Sequence, residues 1–481
     1  MIRRENMGEN SFKEAIIKDK EIAVRKSLRY SIMDGTFYSM MVGFGESFFS
    51  AFAIFLKANN IQLGLLGSLP QALGSLSQLF SNKLIWLFNS RKRFVCTSAL
   101  LEGLMYIPIA LVFFFGTFRV YHLILFVSIY WVFGMILGPA WSSWMGDLVY
   151  EKERGSYFGR RNRIAGLASF FSFLIAGFVL QRFADGTTTQ YIGFVVIFTM
   201  AFFSRIVSFV YLTKKYEPEY KTVSEAQFSF LEFIKQARFR NYGLFVIYLC
   251  LMNFSVFLAG PFFAAYMLYD LKMSYMTFTI VNAAALIVKY ISMPVWGKVS
   301  DYYGSKKVLS LAGFLMPIVP LLWLFSKETI YIIIIQMYSG FIWAGFEIAS
   351  FNFIFDTTTP QKRATCVAYY NVLNGAAIIL GAMIGGLIVR YNNVFWSKYL
   401  FIFLVSFACR YVVSFIFLNK LKEVREVERI PYHKLFMHII TTMPTMGMVH
   451  NIIAFTKNSR KTANISIRRS KSKIVDIGIK R

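Results

Sequence analysis

Asp147-Leu148-Val149-Tyr150-Glu151-Lys152-Glu153-Arg154 opens a segment that returns 209 residues later as Asp356-Thr357-Thr358-Thr359-Pro360-Gln361-Lys362-Arg363. The acid and the arginine keep their spacing, and the match runs on into the apolar stretches that follow. Asn162, Gly166, Ala168, Ile175 and Gly177 fall on Asn371, Gly375, Ala377, Ile384 and Gly386. A repeat at nearly half the length of a 481-residue chain, each copy leading into a hydrophobic run, marks a duplicated membrane bundle rather than a solenoid of short units.

Composition agrees with that reading. The chain is 56% apolar and only 16% charged, where soluble domains carry about 25% charged residues. Apolar runs of about 20 residues recur throughout, each long enough to cross ~30 Å of hydrocarbon as a helix. They predict spans near 32–56, 61–88, 94–116, 121–145, 164–183 and 191–212, then near 242–268, 275–299, 308–326, 329–354, 366–390 and 397–418. The expected fold is therefore an all-α polytopic membrane protein of twelve helices in two six-helix bundles.

Loop charge tests the count independently, because lysine and arginine collect on the cytoplasmic side. One set of loops holds Arg91, Lys92 and Arg93, then Arg154, Arg160, Arg161 and Arg163, then Lys214, Lys215, Lys221, Lys235 and Arg240, then Lys306 and Lys307, then Lys362 and Arg363. The alternate loops hold little beyond Lys57, Arg119, Lys272, Lys327 and Lys398. This pattern places both termini in the cytoplasm and the protein in the cytoplasmic membrane. It also explains the net charge of +27 without a nucleic-acid partner. The expected divisions are a cytoplasmic segment 1–31, which lacks the form of a cleavable signal peptide, a first bundle 32–212, a linker 213–241, a second bundle 242–418 and a basic tail 419–481. The tail has 14 Lys/Arg against 4 Asp/Glu, and Leu435 to Phe455 within it reads as an interfacial segment held by anionic headgroups.

One loop carries a family signature. Gly297-Lys298-Val299-Ser300-Asp301-Tyr302-Tyr303-Gly304-Ser305-Lys306-Lys307 resembles the G-x-x-x-D-x-x-G-x-[RK]-[RK] loop of the major facilitator superfamily, and it lies between predicted spans eight and nine. The resemblance covers roughly Tyr30 to Lys420, and the Asp147/Arg154 and Asp356/Arg363 loops are similar to those of that superfamily. It implies a cytoplasmic latch: Gly297 and Gly304 permit a tight turn, Asp301 faces the positive end of a neighbouring helix, and Lys306 with Lys307 holds the loop inside. The first-half counterpart, Asn82 to Lys92, keeps its basic end but has no acid or glycine where Asp301 and Gly304 would fall. The glycine-rich Gly-Pro signature common on span five of proton-driven drug exporters is missing from Gly166 to Phe183.

Charges inside spans are costly in hydrocarbon unless paired or facing water. Glu46 lies ~21 Å along span one, Glu347 ~13 Å above the Asp356 loop and Lys289 ~18 Å above Asp301, at 1.5 Å per residue. Because spans one, four, seven and ten line the cavity in the superfamily, the resemblance puts Glu46 and Glu347 within reach of substrate. Lys289 on span eight can join them, or can neutralise either acid in a purely structural pair. Asn253 on span seven is expected at the cavity or in an interhelical bond. Glu102, Arg205 and Arg410 read as structural: Glu102 can neutralise Arg205, while no acid suggests itself for Arg410. Trp131, Trp141, Trp144 and Trp343 can wall a cavity or merely fill the bundle.

The function expected from these features is secondary transport of a small solute by alternating access, as a monomer, coupled to protons or sodium or running as a uniporter. Export of amphipathic compounds is the alternative. A membrane enzyme or scaffold fits poorly. The four cysteines are scattered, three of four histidines sit in the tail, and no H-E-x-x-H, Ser/His/Asp set or phosphate loop occurs. No cofactor or metal is expected.

Overall fold

A computed structural model of the protein describes residues 2–150, 154–218, 230–237, 240–358, 360–392, 397–424 and 431, and every regular element among them is helical. Eleven helices are long and apolar enough to span a bilayer. In chain order, with α2 reserved for the segment between the first two, they are α1 (Asp19–Phe55), α3 (Arg91–Phe114), α4 (Gly116–Leu148), α5 (Arg160–Arg182), α6 (Thr187–Thr213), α7 (Asn241–Asp270), α8 (Tyr275–Tyr303), α9 (Ser305–Leu322), α10 (Thr329–Ile354), α11 (Tyr369–Tyr391) and α12 (Lys398–Leu418).

The remaining helix, α2, comprises Asn60–Ser77, a 3-10 turn Gln78–Phe80 and Ser81–Phe88. It has the length of a span but is more polar, with Asn60, Gln62, Ser68, Gln71, Ser75, Ser77 and Gln78. Ser68, Ser75 and Ser77 turn inward on their own helix. Ser68 and Ser75 donate to the carbonyls of Gly64 and Gln71 at 2.7 and 2.8 Å, which removes the cost of carrying hydroxyls through the bilayer. A reciprocal cap between Asn59 and Gln62, both bonds 2.9 Å, starts it.

The duplication is visible in the packing. In the first half α1 packs on α5 and α6, and α2 on α4; in the second, α7 packs on α11 and α12, and α8 on α10. The halves meet along two seams, α2 against α11 and α5 against α8. Here the repeated glycines acquire a purpose. A Cβ on Gly177 of α5 would stand 2.3 Å from Thr279 Oγ1 of α8, and one on Gly166 would stand 3.3 Å from the Tyr290 ring. On the other seam, Gly375 and Gly386 of α11 lie against Ala72 and against Asn60 and Ile61 of α2. Small residues let helix backbones approach where no hydrophobic force drives them together. The glycines shared by the two copies are therefore the points at which each half receives the other.

Several spans are broken. A 3-10 turn at Glu46–Phe48 interrupts α1; α7 breaks at Gly260 and Pro261 and ends in a π-turn at Tyr266–Asp270. A short helix, Phe230–Ala237, lies in the inter-half connection, with Phe230 edge-on to Tyr369 of α11. The predicted interfacial segment Leu435 to Phe455 lies outside the described residues.

One expectation needs correction. Gly297 does not turn the chain: it lies within α8, which runs on to Tyr303, and open space surrounds the position a Cβ would take. Only Gly304 turns, at φ +90°, a conformation that L-residues rarely adopt. In the first-half loop Asn89 takes φ +52°, the left-handed cap that asparagine tolerates best after glycine, so that loop turns without a glycine.

Candidate functional site

The face bearing the charge-poor loops is sealed between the halves. Tyr269 of α7 donates to the carbonyl of Ile54 at 3.1 Å, Tyr399 of α12 to Asn60 Oδ1 at 3.1 Å, and Gln190 of α6 to the Tyr275 hydroxyl at 2.8 Å. Deeper along the α2–α11 seam, Asn371 donates to Gln78 Oε1 at 2.9 Å.

Below that seal, Lys289 of α8 and Glu347 of α10 form an ion pair at 2.6 Å. Its side chains remain 25% and 40% exposed, so the pair stays within reach of solvent. It borders a recess of about 360 Å³ lined by Asn282, Ala285, Leu286, Ser339, Gly340 and Trp343. Helix geometry gives the recess its direction. Thr279 and Tyr290 mark the face of α8 that meets α5, Ala285 abuts Gly340 of α10, and Ile280 and Ile291 lie exposed on the opposite side. Asn282, Leu286 and Lys289 form the stripe between the α5 and α10 faces, so the recess opens into the space the halves enclose.

Glu46 is held differently. At the break in α1 its Oε2 accepts the Tyr130 hydroxyl of α4 at 2.8 Å, beside the ring of Tyr106 from α3. No cation lies within ion-pair distance of it among the described residues. Glu46 and Lys289 do not pair; of the two acids considered for Lys289, Glu347 takes it. Asn253 donates to Asn374 Oδ1 at 2.6 Å, joining α7 to α11 rather than standing alone in a cavity.

The buried charges divide by half. Glu102 bonds Arg205, which also donates to Ser208 Oγ at 3.0 Å and lies 4.9 Å over the Tyr38 ring. Ser208 donates in turn to Asp34, and Lys215 Nζ reaches the same carboxylate at 3.0 Å, with Arg161 at 3.8 Å. The sequence reading missed Asp34. Its signal is the adjacent Gly35, whose bare face admits the Arg161 guanidinium. In a network of this kind, removing one partner strands a buried charge and costs about 3–5 kcal/mol. Arg410 sits equally deep in α12 with no carboxylate in ion-pair range among the described residues; it donates to Ser406 Oγ at 3.0 Å and to the Val256 carbonyl at 3.4 Å, just ahead of the α7 break.

The basic-loop ends carry a second set. Arg91, fully buried, bonds Asp147 at 2.6 Å, Ser143 at 3.0 Å and the Pro218 carbonyl at 3.2 Å. Glu217 accepts from the Lys92 amide at 3.0 Å, and in the second half Glu423 accepts from the Lys306 amide at 2.9 Å, so each half's exit segment caps that half's third helix. Ser305 donates to Asp356 at 2.7 Å. Asp301 is exposed in the last turn of α8, and Lys307 stands in the first turn of α9. The side chains of Arg154 and Arg363 lie outside the described residues. Trp144 is structural, donating to the Tyr216 carbonyl at 2.9 Å, and Trp141 stacks under Arg161 at 4.7 Å.

Comparison with known proteins matches this arrangement. A family model described as Major Facilitator Superfamily matches residues 244–466. A variant of the nucleoside transporter NupG superposes with a TM-score of 0.66 at 14% identity, covering 82% of this chain and all of that one. A bacterial homologue of the human lysosomal transporter Spinster gives 0.54 at 11% identity over 84% of this chain and 98% of its own. Multidrug resistance protein 3 of Bacillus subtilis (strain 168) is 25% identical over 127 residues, which is 26% of this chain and 25% of that protein; the match thus spans about a quarter of the relative's length. The second half of the chain thus matches the major facilitator superfamily, and the whole shares its fold with solved transporters: an integral membrane protein whose described residues form twelve long helices in two like halves.

Proposed function

We propose that the protein moves a small solute by alternating access, with the Lys289–Glu347 pair as the group that responds to substrate and to the driving gradient. The observation that carries this reading is an ion pair at 2.6 Å that remains reachable from the space between the halves. The Glu102–Arg205 pair, by contrast, is shut away from water and cannot exchange a partner with a solute. The positive-inside rule puts the basic loops and both ends of the chain in the cytoplasm. The seal formed by Tyr269, Tyr399 and Gln190 then lies on the external side.

Glu46 is the second candidate for carrying a proton, because it has a phenol but no cation beside it. Proteoliposomes with imposed pH or sodium gradients separate the two acids, using solutes that first raise the melting temperature of the purified protein. Neutralising the coupling acid, Glu347→Gln or Glu46→Gln, should abolish accumulation while sparing counterflow, since exchange does not require the carboxylate to release its proton or ion. If both variants still accumulate solute against its gradient, neither residue couples transport. Export of amphipathic compounds is the second reading. The local similarity to Multidrug resistance protein 3 favours it. Uptake of hydrophobic cations into inverted vesicles, in preference to amphoteric or sugar-like solutes, would establish it.

A further inference from the structure

The recess between α8 and α10 is short of hydrogen-bonding groups other than its ion pair. Asn282 is already engaged at both ends, its Nδ2 donating to the Phe278 carbonyl at 2.8 Å and its Oδ1 accepting from Gln336 at 3.3 Å. Ser339 is largely buried. Of the rest of the lining, Ala285, Leu286 and Gly340 are apolar, and Trp343 adds an aromatic face with a single N–H. The floor is fixed: a Cβ on Gly340 would lie 2.0 Å from the Ala285 carbonyl, so the two helices are already in backbone contact.

Resting on the reading of this space as the transport cavity, we propose that the recess binds a small zwitterion with an apolar or aromatic body. Its carboxylate meets Lys289 Nζ, its ammonium meets Glu347, and its body lies against Trp343 and Leu286. Charge balance selects this class. A lone anion would draw Lys289 away and leave Glu347 unpaired, a lone cation would do the reverse, and either strands a charge within the membrane. A solute carrying both charges opens the pair and replaces each partner. A polyol would leave the pair intact, but most of its hydroxyls would face apolar surface without partners. Size agrees: about 360 Å³ is the share of roughly twelve liquid waters, suited to an amino-acid-sized molecule rather than a peptide or a lipid.

The test is binding to the purified full-length protein in detergent, by thermal shift and calorimetry. The probes are L-phenylalanine and L-tryptophan as zwitterions, phenylalanine amide as the cation, N-acetylphenylalanine as the anion, and glucose and uridine as neutral polar solutes. Expected is stabilisation by the zwitterions, with single-charge analogues at least tenfold weaker and the neutral solutes inactive. The double variant Lys289→Met/Glu347→Gln leaves no unpaired charge and so folds, yet should lose zwitterion binding. Wild-type affinity in that variant, equal binding by the single-charge or neutral probes, or no binding by either zwitterion overturns the proposal. Binding without counterflow in proteoliposomes would instead uphold the site and refute its place in transport, so the two failures are distinguishable.

Discussion

Gly177→Ala should weaken the sealed state far more than the same change at its counterpart Gly386. A methyl on Gly177 would sit 2.3 Å from Thr279 Oγ1 and 2.6 Å from its Cβ, whereas ordinary carbon contacts are ~3.5–4.0 Å. Thr279 is fully buried and β-branched, and its hydroxyl is held by the Tyr275 carbonyl at 2.7 Å, so it has no free rotamer to retreat into. The α5–α8 seam must open by about an ångström. Overpacking of this kind costs roughly 1–3 kcal/mol, which against the open state is about a 5- to 150-fold population shift. At Gly386 the nearest atoms lie 3.4 Å away, ordinary contact, so alanine there should shift populations less than about twofold. The gain in helix propensity is the same in both and cancels, since α5 and α11 stay helical whichever face is open. Spin labels at Thr187 and Lys327, on the sealed face of opposite halves, would report the distance distribution by pulsed electron resonance. A pronounced long-distance population in Gly177→Ala and none in Gly386→Ala is expected. Equal distributions in the two variants would refute the claim that the α5–α8 glycine sets the seal.

The latch and the orientation can be tested as directly. Asp301→Asn should express and melt like the parent but shift the balance of open states by roughly two- to fivefold, the effect of about 0.3–1 kcal/mol at a helix end; unchanged accessibility of both faces would reduce this residue to a solvated side chain. Cysteines at Thr187 and Lys327 should react with an impermeant thiol reagent added to whole cells, and cysteines at Tyr302 and Lys420 should not. The native Cys96, Cys250, Cys366 and Cys409 are buried or half-buried and give a low background. The opposite labelling pattern would invert the orientation assigned here.

How much of this was written in the sequence depends on whether a constraint is local. Hydrocarbon requires each span to be apolar over its own length and each cytoplasmic loop to be basic, so span positions, the twelvefold count and the duplication at 209 residues were legible from one dimension. Even there α2 stands apart: it is more polar than the other eleven spans, and Ser68, Ser75 and Ser77 are satisfied on their own helix. Which charge meets which was not legible. Lys289 had two acids at similar depth, and only the rotation of α8 and α10 about their axes brings Glu347 to 2.6 Å and leaves Glu46 with Tyr130. Asp34 was overlooked because its partners Arg161, Ser208 and Lys215 lie at least 127 residues away and converge on it only when α1, α5 and α6 pack. Gly297 misled because a glycine in a loop motif suggests a turn, while the helix runs through it to Tyr303. The repeated glycines show both sides. The sequence marked them as shared, but that Gly177 is jammed against Thr279 while Gly386 merely touches Ile61 is decided by interhelical distance, a quantity set by every side chain along both seams and by no residue alone.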